Sequence, residues 1–210
     1  KPTWARDIGL NDPKITHQKG PLLAWFGSAH WATLGQKESP YTFAYLRPIN
    51  DDAATQLRNY AKKVEKEGRE LLLYTDMRSR ALVGDLEKTF AWEWNPLAFE
   101  EPSAEAIWKA PHYQNILVNT VPSRIDYDLW CFNRLMDLGA RAFYFDEIQA
   151  EGQINPIVGL GYQDENGKWM PTLRLFAYRE LWKRLYTLMQ DRGIPEPVII
   201  LHNTSTTYAG

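Results

Sequence analysis

A chain of 210 residues is long enough for one sizeable core. Its net charge of -2 argues against a protein that tracks phosphates, where a basic surplus is the rule. No apolar run approaches the ~20 residues of a membrane span, so neither a nucleic-acid nor a membrane partner is expected. The single cysteine, Cys131, excludes an intrachain disulfide and a cysteine metal knuckle, and its helical setting predicts a core position. Aromatic residues make up 13%, nine of them Trp, and indole faces that do not pack in a core can stack on sugar rings. The chain opens on Lys1-Pro2 with no visible signal peptide, so a processed chain or an excised fragment is expected. A secreted or periplasmic setting is expected for it.

In chain order, Leu22 to Phe26 reads as a strand opening into "GSAHW". Asn50 or Asp51 then caps a helix in which Ala54, Leu57, Ala61 and Val64 recur at helical spacing, and Gly68 stops it. Leu71 to Thr75 follows at once as an apolar strand ending at Asp76. A helix feeding a continuous apolar strand is the pattern of a parallel sheet. Residues 77 to 115 are Trp-rich without a clear period, and so long a loop inside a compact domain is usually functional. Ile116 to Val118 is a shorter strand. Asp126 caps a second helix carrying Leu129, Phe132 and Met136, ended by Gly139, and strand 142–145 delivers Asp146 and Glu147. Asp164 to Gly167 predicts a turn or small hairpin. A helix from about Thr172 to Arg192 presents Leu173, Ala177, Leu181, Leu185 and Leu188 on one side. Val198 to Leu201 is a last buried strand, ending in "HNTST".

Repeated βα units with polar residues at every strand end predict an α/β fold of the TIM type, where chemistry gathers at the strand C-termini. About five strands are visible against the eight of a closed barrel. Residues 1–210 are therefore expected to form a single (β/α)-barrel domain of catalytic type, truncated at both ends, whose partner is the remainder of a larger parent chain. The alternative is an open doubly wound sheet. It is disfavoured because no GxGxxG or GxxxxGK[ST] phosphate loop is present.

The central feature is "RAFYFDEIQAEGQINP", in which an apolar strand runs into two adjacent carboxylates, Asp146 and Glu147. Their Cα atoms are about 3.8 Å apart, so both ionise only with difficulty and one pKa should rise. A carboxylic acid held protonated near neutral pH is what glycosidic protonation requires. Adjacent residues cannot easily flank a scissile bond as acid and nucleophile, which in retaining enzymes stand ~5–5.5 Å apart. Either a second carboxylate comes from another strand, with Asp76 the best candidate, or the substrate's 2-acetamido oxygen is the nucleophile. In the second scheme Asp146 orients the acetamido N–H and Glu147 protonates the leaving group, which explains why the two are neighbours. In a competing structural reading, Asp146 caps a turn and Glu147 meets a surface Arg.

The run "YFDE", followed by "NPIVGLGYQDENGKWMPTLRLFAYRELWKRLYTLM" and "VIILHNTS", resembles bacterial TIM-barrel proteins related to glycoside hydrolase family 123. The resemblance is best over residues 125 to 205. It implies a substrate-assisted N-acetylhexosaminidase in which an Asp-Glu pair ends the fourth barrel strand, and only Asp146 and Glu147 match that motif. The family's acetamido-holding Tyr is not assigned here to Tyr144 or Tyr162.

Further candidates for contact with a carbohydrate substrate are Trp92 and Trp94 as a stacking platform around Glu93, Trp169 from the loop after the acid strand, and His202-Asn203 at the last strand end. Each has a structural alternative in core packing. The four histidines show no HxxxH or HExxH spacing, so no metal and no cofactor are expected. Arg174, Arg179, Lys183 and Arg184 read as the solvated stripe of the long helix. The leading expectation is a glycoside hydrolase acting on a 2-acetamido sugar. The alternatives are a two-carboxylate glycosidase for non-acetylated glycans and a non-catalytic carbohydrate-binding barrel.

Overall fold

The computed structural model describes residues 22–26, 31, 32, 34, 46–77, 79–81, 85–94, 115–117, 119–146, 148 and 152–202. In order these form β1 (Leu22–Phe26), α1 (Asp51–Lys66), β2 (Arg69–Asp76), β3 (Ser79–Ala81), α2 (Asp85–Thr89) and α3 (Ala91–Trp94). There follow β4 (Asn115–Leu117), α4 (Pro122–Asp137), β5 (Ala140–Asp146), β6 (Gly152–Gln153), β7 (Tyr162–Gln163), β8 (Trp169–Met170), β9 (Thr172–Leu173), α5 (Leu175–Asp191) and β10 (Val198–Leu201). Among the described residues, no helix is long and apolar enough to cross a membrane.

The main sheet has four parallel strands in the order β1-β2-β5-β10. Strand order never reverses, so the sheet is singly wound. Right-handed crossovers that always step the same way place the connecting helices α1, α4 and α5 on one face. The core shows this directly. Leu57, Ala61 and Val64 of α1, Phe132 and Leu135 of α4, and Leu181 and Leu185 of α5 pack with Ala24, Leu71, Leu73, Phe143 and Phe145. The opposite face holds a separate cluster built from strands alone: Leu72, Ala142 and Val198, with Leu23, Tyr144 and Ile200 against it. The doubly wound alternative is therefore set aside for these strands, and the sheet has the winding of a barrel arc without closing into one.

Each helix is specified locally. Asn50 caps α1 by accepting from the Ala53 N–H at 2.9 Å, with Asp51 and Asp52 in the first turn and Lys63 and Lys66 in the last, complementing the helix dipole. Asp126 does not cap α4. That helix begins at Pro122, whose fixed φ and missing N–H suit the first helical turn, and Asp126 instead accepts from Arg184 at 2.7 Å. The long helix starts at Leu175 rather than near Thr172, because Thr172 and Leu173 pair antiparallel with Gly152 and Gln153. Leu173 is consequently exposed rather than on the buried helical side. The short strand near 116 is real but misassigned: β4 pairs antiparallel with β3 and stands outside the parallel sheet. Three apolar residues carry no information about their partner. The Asp164 turn forms as expected, with its Oδ1 accepting from the N–H groups of Asn166 and Lys168, both at 2.9 Å.

Candidate functional site

The opposite face, which carries no helix among the described residues, is layered by register. Leu72, Ala142 and Val198 lie opposite one another as a buried apolar layer. Two residues further along come Tyr74, Tyr144 and Ile200, and two further again Asp76 and Asp146, with His202 just past the end of β10. Side chains two apart on a strand share a face, so the face grades from aliphatic through aromatic to ionisable towards the strand C-termini. That edge is where an α/β sheet of this winding carries its chemistry.

Asp146 is the centre of the polar layer. The Tyr74 hydroxyl donates to its Oδ2 at 2.6 Å, and His202 Nδ1 lies 2.7 Å from its Oδ1. This contact sets the orientation of the imidazole against Asp146. Backbone bonds brace the same corner. The Met77 N–H donates to the Asp146 carbonyl at 3.2 Å, the His202 N–H to Phe145 at 2.8 Å, and the Ile148 N–H to His202 at 3.4 Å. Burial, its hydrogen bond to Asp146 and the charges of Asp146 and Asp76 push the Tyr74 phenol well above its ordinary range. Tyr144 is shifted the same way by burial and the Asp146 charge. Both phenols therefore remain donors at any physiological pH.

Behind this layer, Arg124 of α4 is fully buried. Its Nη2 donates to the Met77 carbonyl at 2.7 Å, its Nη1 to Thr120 Oγ1 at 3.2 Å, and its Nε stands 2.9 Å from Asp128 Oδ2 as an ion pair. The Nε contact is close without being aligned as a hydrogen bond. Gln153 accepts from the Thr120 N–H at 2.9 Å and so ties the chain after β5 to the same network. The end of β2 is thus anchored to the helix layer.

The candidates separate into three groups. Asp146, Asp76 and His202 come together at the strand ends, although Asp76 is only 2% exposed and presents little surface to a ligand. Trp94 is removed from the rim. It is 1% exposed, stacks on Phe90 at 5.6 Å and donates from Nε1 to Ser123 Oγ at 3.0 Å, so it is core and its face is not free for sugar. Glu93 accepts from that Ser123 hydroxyl at 2.7 Å. Trp92 is 56% exposed, but its carbonyl accepts from Asn155 at 3.2 Å, on the side of the chain after β5. Trp169 is half-buried in the β7–β8 hairpin, packed against Gly161. Glu147 and Asn203 lie outside the described residues.

The charged stripe of α5 is only partly solvated. Arg174 donates from Nε to the Thr120 carbonyl at 3.0 Å, and burial lowers its pKa. Arg184 binds Asp126. One contributor escaped the sequence reading, Tyr74. It sits on a strand that was recognised, and strict two-residue alternation back from Asp76 would have put it beneath that residue.

No family model matches the chain, and no curated protein matches it. Several solved structures are similar at long range. The GH36 α-galactosidase AgaA from Geobacillus stearothermophilus is 12% identical with a TM-score of 0.40, over 68% of this chain and 19% of that one. A GH31 family sulfoquinovosidase from E. rectale is 12% identical with a TM-score of 0.43, over 77% and 23%. The α-galactosidase from Lactobacillus brevis is 12% identical with a TM-score of 0.42, over 87% and 27%. The chain spans roughly a fifth to a quarter of the length of these enzymes. All three are glycosidases, the families named are GH36 and GH31, and likenesses this distant place the present chain in no family.

Proposed function

We propose that this chain carries the reaction centre of a glycoside hydrolase acting on a 2-acetamido sugar. Glu147 serves as general acid and then base, and Asp146 orients the acetamido group that acts as internal nucleophile. The observation that supports the reading is the fixation of Asp146 at the C-terminal edge of β5. Tyr74 and His202 hold one oxygen each, so the carboxylate plane is set before a ligand arrives. A fixed negative charge at that place favours the positive charge that develops as the internal nucleophile closes on the anomeric carbon.

The test is hydrolysis of aryl glycosides matched with and without the 2-acetamido group, assayed beside Glu147→Gln and Asp146→Asn. Turnover confined to the acetamido sugars and lost in Glu147→Gln is the expected result. Equal turnover of both types would replace the internal nucleophile by a second carboxylate. Asp76 is then the candidate, because it lies in register with Asp146 on the neighbouring strand. Glycan binding that survives Glu147→Gln, with no turnover by the unmutated chain, would overturn the enzymatic reading in favour of a binding barrel.

A further inference from the structure

Trp25 stands on β1, with β2 between it and β5, yet its ring centroid is 5.5 Å from that of Tyr144. Strands lie roughly 4.8 Å apart, so these two rings lean towards each other over the intervening strand. Tyr144 stacks in turn on Tyr74 at 5.4 Å and 18°, and lies 5.9 Å from the His202 imidazole. Rings from β1, β2 and β5, with the imidazole just past β10, therefore form one ribbon across the face that carries no described helix. The ribbon ends beside the Asp146 carboxylate.

Trp25 is 54% exposed. An indole carries one of the largest apolar surfaces of any side chain, and parallel sheets ordinarily cover both faces. An indole left mainly in water on such a face, in contact with a site, calls for a ligand with a flat apolar side. The other end of the ribbon supplies a carboxylate, an imidazole and two phenols, which call for hydroxyl or amide groups on that same ligand. A wholly apolar partner would strip water from Asp146 and His202 without replacing its hydrogen bonds. A pyranose meets both demands, with apolar ring faces and polar edges.

We propose that Trp25 is the floor of a second sugar subsite, adjacent to the sugar held at Asp146, so that the chain takes oligosaccharides laid across the strands. The identity of the first sugar's site rests on the glycosidase reading above; the stacking role of Trp25 does not. Calorimetric titration of the Glu147→Gln protein would use tetrasaccharides of N-acetylglucosamine, N-acetylgalactosamine, glucose and galactose, each beside its monosaccharide. Adding Trp25→Ala should weaken the best tetrasaccharide by about tenfold more than its monosaccharide, a stacking-sized effect. Trp25→Phe should recover most of the loss. If Trp25→Ala fails to fold, Trp25→Leu keeps the apolar bulk without the aromatic face and takes its place. Unchanged tetrasaccharide affinity, or no binding by any member of the panel, would overturn the subsite. Aryl glycoside hydrolysis with Trp25-independent oligosaccharide affinity would overturn the subsite and spare the glycosidase reading. Trp25-dependent binding without hydrolysis by the unmutated chain would do the reverse.

Discussion

Replacing Tyr74 by Phe removes one hydroxyl from the buried side of the candidate site and leaves the ring, with its stack on Tyr144, in place. The lost bond runs to an ionised acceptor at 2.6 Å. Hydrogen bonds to charged groups contribute about 1.5–3 kcal/mol. The Asp146 side chain is 20% exposed, so water can take the vacated position and the lower end, about 1.5 kcal/mol, is expected. The pH dependence gives a second handle. Tyr74 is held protonated in the folded chain, by burial first and its bond to Asp146 second. Its folded pKa lies above the unfolded value of about 10, so its contribution is complete below that pH. As pH rises further the unfolded chain loses the proton first, and stability falls by up to ~1.4 kcal/mol per pH unit for this group. Tyr74→Phe should flatten that alkaline limb, leaving the smaller share of Tyr144. Urea denaturation near neutral pH and at several alkaline points would measure both effects. A loss below roughly 0.5 kcal/mol at neutral pH, together with an unchanged alkaline slope, would refute the account, since a charge-assisted bond should exceed that.

Other perturbations test the scaffold and the chemistry. Arg124→Met removes a fully buried guanidinium that donates to the Met77 carbonyl and Thr120 Oγ1 and pairs with Asp128, and should cost about 3–5 kcal/mol in urea unfolding. Gly139→Ala meets the Ala61 Cβ at 2.5 Å from a φ of +102°, so a fall in stability of at least about 2 kcal/mol is expected by thermal melting. Asp146→Asn keeps the shape but removes the charge that receives Tyr74 and His202, and should lower kcat on acetamido glycosides by about 10²-fold with the fold retained by circular dichroism.

The strands of the parallel sheet were legible because each is a continuous apolar run, and the capped helix at Asn50 was legible because its cap is a side chain. The start of α4 was misread because Pro122 and a backbone-only cap leave no polar signature, while Asp126 supplies a false one. The antiparallel pairing of β4 was invisible, since pairing depends on where residues 79–81 come to rest and not on the strand's own composition. The place of Asp146 at the C-terminal end of β5 was legible because the apolar run stops on it. Trp94 was misplaced for the opposite reason: "WEWNP" looks like a platform, and only tertiary contact reveals that alternate indoles face the core and the solvent.

The polar layer is assembled from parts far apart along the chain. Tyr74 and Asp146 are separated by 72 positions, and Asp146 and His202 by 56. Each contact closes a loop containing a complete helix, so no single βα unit contains the arrangement. Contacts of this span form late, after the entropy of long closures has been met. Occupancy of the layer by a ligand would then draw on the cooperative unfolding of the whole sheet and not on the local opening of one strand. Amide-exchange protection gained on ligand binding should reach β2, β5 and β10 together.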